Sequence, residues 1–343
     1  MSKAISFASI NLLNLARPDQ ITHPGATPLT RALYDAKVAW TARVIDITDA
    51  DVYAFQEVWS EEALRDCFAA SVKGFQYTVV ARDGPAGRVQ VGAAFRHTRL
   101  DLVDHEWIEE FPDGVKLIKR APDAGEPDYQ MLAAIDRFSR PVVRLRLRQT
   151  DDQELTFMSI HLKSRLAMEL DRPEYDDPDV RRHRRALGEA LSAIRRTAEA
   201  AALRVHLSLL LEGNHDPVVV AGDLNDGHLS TTAQIISAQP PVKLFKASTI
   251  GTAATKGQDV GLYSAQMLQE FRSVRDVYYT YEHDSLLESL DHIFVSEEFY
   301  EHSPNSLWTF RELIVLNDHV HTRKSNDKVV SDHGVILVKF DAA

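Results

Sequence analysis

Residues 218–226 read VVVAGDLND, and this stretch decides the class of fold. The unbroken apolar run 218–221 fits a β-strand buried on both faces. Asp223 and Asn225 follow at once, so two polar side chains stand where the strand ends. Outward from this point, further β-rich runs fall at 4–10, 52–55, 77–81, 89–95, 142–148, 155–160, 292–295 and 334–340. Helical patterning lies between them at 28–48, at 61–70 and most strongly at 178–211. Strands interleaved with helices predict an α/β sandwich of sheets covered by helices. The stretches 112–128 and 240–261, rich in Gly, Pro, Asp and Thr, read as long loops.

Composition narrows the function. The 343 residues hold 39 Lys and Arg against 50 Asp and Glu, a net charge of −11. Length alone admits two domains or one large layered domain. An apolar share of 44% can fill a sizeable core, which excludes wholesale disorder. The first residues, MSKAISFASI, lack a signal-peptide core, and no apolar stretch approaches a membrane span. The one cysteine, Cys67, cannot form an internal disulfide and reads as a small buried hydrophobe, so a cytoplasmic location is expected. Proteins that coat nucleic acid carry a basic excess. This chain must handle any polyanion with a local basic groove or with metal ions, and hard cations take oxygen ligands of the kind it has in excess.

The segment 171–211 is distinctive. It opens with DRPEYDDPD, continues with RRHRR at 181–185, and then becomes rich in Ala and Leu. Leu187, Leu191, Ile194 and Ala198 share one helical face, which is expected to pack against the body. These four arginines and one histidine oppose the helix dipole unless the acids at 171, 174, 176, 177 and 179 or a bound anion offset them. A self-neutralised solvated surface is the plainer reading. In the alternating run VVRLRLR, Arg144, Arg146 and Arg148 share one face and fit an exposed edge strand guarded by charge as well as a DNA track.

Polar residues recur where strands end: Asn11 with Asn14 (SINLLNL), Glu57 (AFQEVW), Arg140 (FSRP), and His161 with Lys163 (SIHLKS). Asp223 with Asn225 (AGDLND), Asp291 with His292 (SLDHIF) and Asp332 with His333 (VVSDHG) complete the set. In an α/β sheet such positions collect at one rim, where sites form. These blocks, in this order, resemble the endonuclease/exonuclease/phosphatase superfamily, the metal-dependent phosphoesterases related to deoxyribonuclease I and the apurinic endonucleases. The likeness runs from Ile5 to Phe340, with 171–213 as a helical insertion in a single domain. It implies a four-layer sandwich of the α/β (α+β) class: two mixed β-sheets face to face, with helices on both outer sides.

The resemblance also implies phosphoester hydrolysis with Mg²⁺ or Mn²⁺. A phosphodiester repels its nucleophile, and a divalent ion neutralises charge and acidifies water. Glu57 would be the main metal carboxylate, Asn11 a neutral oxygen ligand or its positioner, and Asp332 a further ligand. His333 would take or deliver a proton, with Asp291 holding its ring. His161 would donate to a phosphoryl oxygen, Asp223 would orient the attacking water, and Asn225 would fix a phosphate oxygen. Arg140 would orient Glu57 or reach the phosphate, and Lys163 would bind substrate phosphate. Leu13 stands where some relatives carry an Asp. His292 reads as support, and DHVHTRK at 318–324 as a loop. Nucleic acid is the expected substrate, with a small-molecule or lipid head-group phosphate as the alternative. Neither a membrane nor a protein partner is expected.

Overall fold

The computed structural model describes residues 3–84, 88–119, 131–240, 260–273, 278–283, 286–324 and 327–343. One sheet has the order β15-β16-β1-β2-β4-β3, built from β1 (Ile5–Leu15), β2 (Val52–Val58), β3 (Tyr77–Val80), β4 (Gln90–Arg96), β15 (Trp308–Leu316) and β16 (Val335–Ala342). The other runs β11-β14-β10-β9-β8-β5, from β5 (Leu100–Glu110), β8 (Arg137–Gln149), β9 (Glu154–His161), β10 (Val218–Asp223), β11 (Tyr263–Ser264) and β14 (Asp291–Val295). Both sheets are mixed: β1 and β2 are parallel, as are β9 and β10, and the remaining pairings are antiparallel. Two small hairpins stand apart, β6 (Leu117–Lys119) with β7 (Met131–Ala133) and β12 (Tyr281–His283) with β13 (Leu286–Glu288).

Period-two alternation divides each strand between two cores. Phe7, Ala54, Ala93, Phe157, Val219, Ile293 and Val338 point between the sheets, where Phe7 stacks on Phe157 at 5.9 Å. Their neighbours Ala8, Tyr53, Phe55, Ala94 and Leu337 face α1 (Arg31–Thr48) and α2 (Glu61–Ala70). On the opposite side Met158, Ile160, Val220 and Phe294 pack on Ala198, Leu203 and Leu207 of α5 (Arg184–Leu211) and Ile236 of α6 (Thr231–Ser237). The result is helix, sheet, sheet, helix. Thr30 and Ser60 cap α1 and α2 by accepting the amides of Leu33 and Ala63, and Glu61 and Glu62 complement the α2 dipole.

All nine expected strands form, and so do the helices at 31–48 and 61–70. The expected helix 178–211 divides into α4 (Pro178–Arg181) and α5, behind the short α3 (Arg172–Asp176). Its expected packing face is corrected. Leu187, Leu191 and Ile194 are 40%, 41% and 52% exposed, and Gly188, Ser192, Arg196 and Glu199 face the body instead. The reason is that the first half of α5 lies on a polar surface, the backbone of 163–168. The Met168 amide bonds to the Gly188 carbonyl, Ser192 Oγ donates to the Leu166 carbonyl, and a Cβ on Gly188 would sit 2.2 Å from the Met168 oxygen. Only from Ala198 onward does the buried face turn apolar.

Strands β5 and β15 had no legible signal. Each edges its sheet on one side, and LDLVDHEWIEE carries charges on its solvated face. Arg144, Arg146 and Arg148 therefore sit on an interior strand, paired with Asp104 and Glu106 of β5 and Glu154 of β9. That ladder is already neutralised, so neither an edge strand nor a phosphate track describes it. The presumed loop 112–128 contains β6, with 120–128 outside the described residues, as is 241–259 of the second loop. The 318–324 stretch holds α8 (Asp318–Thr322), and α7 (Ala265–Arg272) packs beside β14.

Phe157→Ala should cost about 3–5 kcal/mol, because the stacked partner on the facing sheet cannot follow into the void. Urea unfolding of the two proteins measures the difference.

Candidate active site

The alternation that builds the inner core also builds the site. Continuing the inward row past the last apolar side chains gives Ser9 then Asn11 on β1, Ser159 then His161 on β9, Asp223 on β10 and Asp291 on β14. All are buried. Asp223 is level with Asp291 on one side and His161 on the other in the sheet register. Gly222 makes the close strand approach possible: it has φ +155°, and a Cβ there would lie 2.0 Å from the Ile160 oxygen.

Across the gap, Asn11 Nδ2 donates to Asp223 Oδ2 at 3.1 Å. His161 Nε2 lies 3.4 Å and His333 Nε2 3.9 Å from that same oxygen. His333 Nδ1 bonds to Asp291 Oδ2 at 2.8 Å. The Asn225 amide donates to Asp223 Oδ1 at 2.7 Å, and its side-chain Nδ2 to the Leu162 carbonyl at 3.1 Å. Arg140 Nη1 reaches that carbonyl too, at 2.9 Å. Ser331 Oγ donates to the Asn11 carbonyl and accepts the His333 amide, which fixes the SDH turn beside β1.

Four non-glycine residues with positive φ frame the site: Leu13, Asn14, Glu57 and Asn225. Such backbone is uncommon and needs support from its surroundings. Glu57 sits at an irregularity of β2, between Phe55 and Val58, and its Oε2 accepts the Asn14 amide at 2.8 Å. Asn14 Oδ1 in turn accepts from Trp59 Nε1 and contacts His23 Nε2.

Electrostatics separate the two histidines. Burial holds His161 well below its ordinary value, and Arg140, His333 and Lys163 push the same way. Burial also disfavours charge on His333, but Asp291 and Asp223 overcome it and hold that imidazole well above its ordinary value. One ring is thus neutral and the other protonated, the pattern expected of an acid/base pair. Burial pushes the Asp223 carboxyl up, with His333 opposing and Asp291 reinforcing the shift. Burial lowers His292, whose Nε2 meets the Asp226 carbonyl at 2.9 Å, so it serves as neutral support.

A cleft of about 870 Å³ opens over these groups. Glu57, Arg140, His161, Asp223, Asn225, Asp332 and His333 all line it. Asn11 and Asp291 lie beneath its surface, and Lys163 does not line it; the lysine bonds to Ser164 while its amide is held by Glu199. Several residues around the site carry little or no signal in the sequence. Glu199 is a buried acid on α5 whose two oxygens take the amides of Ser139 and Lys163, so it ties the start of β8, with Arg140, to the end of β9, with His161. Its only sequence signal is a charge within the apolar second half of that helix. Arg165 and Arg196 line the cleft and pair with Asp226. Tyr281 lies 5.0 Å from the His333 ring and is paired with its backbone.

The cleft lining suits a hard divalent cation, because Glu57, Asp223 and Asp332 bring carboxylate oxygens to it. Oxygens of Asp223 and Asp291 and a nitrogen of His333 also lie within 4.8 Å of one another, although that imidazole is held by Asp291. Asp291 Oδ1 is buried and has no hydrogen-bond partner among the described residues.

Comparison with known proteins gives the class. The sequence profile of the endonuclease/exonuclease/phosphatase family matches residues 9–333, and the chain belongs to that family. It is a hydrolase of phosphoester bonds, from a family of divalent-metal-dependent enzymes. Many solved structures share the fold, and three illustrate the range. TDP2 of D. rerio complexed with single-strand DNA product is 14% identical with a TM-score of 0.55, over 99% of this chain and 100% of that one. The human Nocturnin catalytic domain with bound sulfate is 15% identical with a TM-score of 0.55, over 99% and 94%. A mannosyl-6-phosphatase of Bacteroides thetaiotaomicron is 15% identical with a TM-score of 0.53, over 98% and 99%. No curated protein matches in sequence. No described helix is long and apolar enough to cross a membrane.

Two outcomes follow from the charges. Asp291→Asn should return the His333 imidazole toward neutrality, read as a downward pKa shift by NMR of its ring nitrogens. Because the Asp223 carboxyl is raised by folding, the folded state loses stability as pH rises above the ordinary carboxylate range. In chelator, the protein should therefore melt progressively lower as pH rises from about 4 toward neutrality, read by thermal unfolding across that range.

Proposed function

We propose that the chain is a Mg²⁺- or Mn²⁺-dependent phosphodiesterase that cleaves nucleic acid by in-line attack of water. The observation that carries this reading is the meeting of His161 and His333 on one Asp223 oxygen, at 3.4 and 3.9 Å, with His333 tied to Asp291. Glu57 and Asp332 at the cleft wall would hold the cation, which when bound neutralises phosphate charge and acidifies water. Asn11 acts as a positioner, because its amide is committed to Asp223.

Within the chain, Asp223 orients the attacking water by accepting its proton in a hydrogen bond. His333 carries its proton at Nε2 beside the reacting phosphate, and Asp291 keeps that imidazolium aligned through Nδ1. Neutral His161 supports the phosphoryl oxygens as charge gathers on them, with Asn225 and Arg140 on the same side. No carboxylate of the described residues is in ion-pair contact with Arg140, so its charge is available to an anion. Lys163, outside the cleft lining, serves by its backbone link to Glu199 rather than by binding phosphate. The family match encloses α3–α5, which supports one domain with a helical insertion at 171–213. The solitary Cys67, whose thiol burial pushes up to about 12, suits a reducing cytoplasm.

A small-molecule phosphate ester is a second reading, favoured by the cleft's balance of charge. Glu57, Glu189, Asp223, Glu288 and Asp332 face Arg140, Arg165, Arg185 and Arg196, and a long polyanion gains little from such a surface.

With Mg²⁺ or Mn²⁺, the protein should nick plasmid or degrade single-stranded DNA or RNA. If all three stay intact while small phosphate esters release phosphate, the second reading replaces the first. Glu57→Gln and His333→Ala should each lower kcat by at least about a thousandfold with unchanged circular dichroism.

A further inference from the structure

Helix α1 turns Tyr34, Lys37, Val38, Thr41 and Ile45 toward the first sheet. Four of these suit the layer they enter, but Lys37 does not. Its side chain is 1% exposed. An ammonium offers three donors, and among the described residues this one makes a single hydrogen bond, Nζ to the Lys328 carbonyl at 3.0 Å. No carboxylate among the described residues lies within ion-pair distance of it. A buried charge without a partner is expensive, and an apolar side chain would fill the space without that penalty.

What offsets the penalty is charge at longer range. Burial lowers the Lys37 amine to about 8, and Glu57 is the strongest influence in the opposite direction, followed by Cys67, Asp332 and Asp327. The Cys67 thiol is itself pushed up to about 12 and stays neutral. The fold brings these groups to one end of the α1 layer. Tyr53 and Phe55 of β2 pack under α1, Glu57 follows them at the irregularity that ends the strand, and Asp332 lies just beyond the 327–331 turn whose Lys328 carbonyl holds the amine.

We propose that Lys37 is an internal counter-charge to Glu57 and Asp332, a positioning residue that balances the two carboxylates when no cation is bound and weakens their grip on one that enters. This rests on the reading of Glu57 and Asp332 as the metal carboxylates. An arriving divalent ion meets a like charge behind its ligands, and the medium between, a packed helix layer, screens poorly compared with water. The residue touches neither substrate nor metal. Its effect is on affinity, which makes it separable from catalysis.

The test follows melting temperature as Mn²⁺ is titrated into the full chain without substrate. Lys37→Met removes both the charge and the donor, whereas Lys37→Gln removes the charge and keeps a donor for the Lys328 carbonyl. Both should lower the half-saturating Mn²⁺ concentration about three- to tenfold. An unchanged or raised value in both variants overturns the proposal, including a uniform drop in melting temperature at every Mn²⁺ concentration. So does a shift in Met that Gln restores, since the hydrogen bond rather than the charge would then be acting. If Met fails to fold, Gln alone decides by the same criterion. A parent protein that Mn²⁺ does not stabilise refutes the metal reading of Glu57 and Asp332, a failure distinct from that of Lys37.

Discussion

The hydrogen bond from Asn11 Nδ2 to Asp223 Oδ2 joins the two sheets at the rim of their shared core. Below it the gap between the sheets is filled by aromatic and aliphatic side chains. Above it lies the cleft. A buried carboxylate is tolerated only when its oxygens are satisfied. Here Asp223 takes the Asn225 amide on one oxygen, and on the other the Asn11 amide with two imidazoles nearby. Apart from the Asn225 amide, every group that meets at Asp223 comes from a different segment of chain, so sheet-on-sheet packing is the precondition for the site.

The site also concentrates features that cost stability elsewhere. Positive φ at Leu13, Asn14, Glu57 and Asn225 aims side chains and amides that ordinary strand geometry would turn away. Crowding Asp223 and Asp291 raises one carboxyl and charges His333, an arrangement that a bound cation would relieve. Buried Lys37 belongs to the same pattern on the helix side. Stability is set aside locally where charge must be held ready.

The insertion between β9 and β10 does a different task. Glu199, Arg196, Ser192 and Gly188 on α5 bind the backbone of the segment after His161 and of the first residues of β8. This turns a helix into a clamp on the segments that border the cleft, and it leaves Leu187, Leu191 and Ile194 partly in solvent. Amphipathic spacing marked the apolar stripe correctly but chose the wrong face, because backbone groups of a neighbouring segment can be satisfied only by polar or small residues.

Sequence by itself determined the layered α/β class, the nine core strands and the polar residues at their ends, since period two and apolar continuity are local properties. It also carried the family, through seven short motifs in order. Tertiary structure alone decided which of those residues share an oxygen, that Asn11 supports Asp223 and that Lys163 stays outside the cleft. It decided too that one histidine is neutral and the other charged, and that Glu199 and Lys37 matter at all. Those outcomes depend on distances between segments that are far apart in the chain, 212 residues for Asn11 and Asp223 and 291 for Lys37 and Lys328, and on burial, which no window of sequence contains. A carboxylate on a helix reads the same on paper whether water or two backbone amides lie beside it.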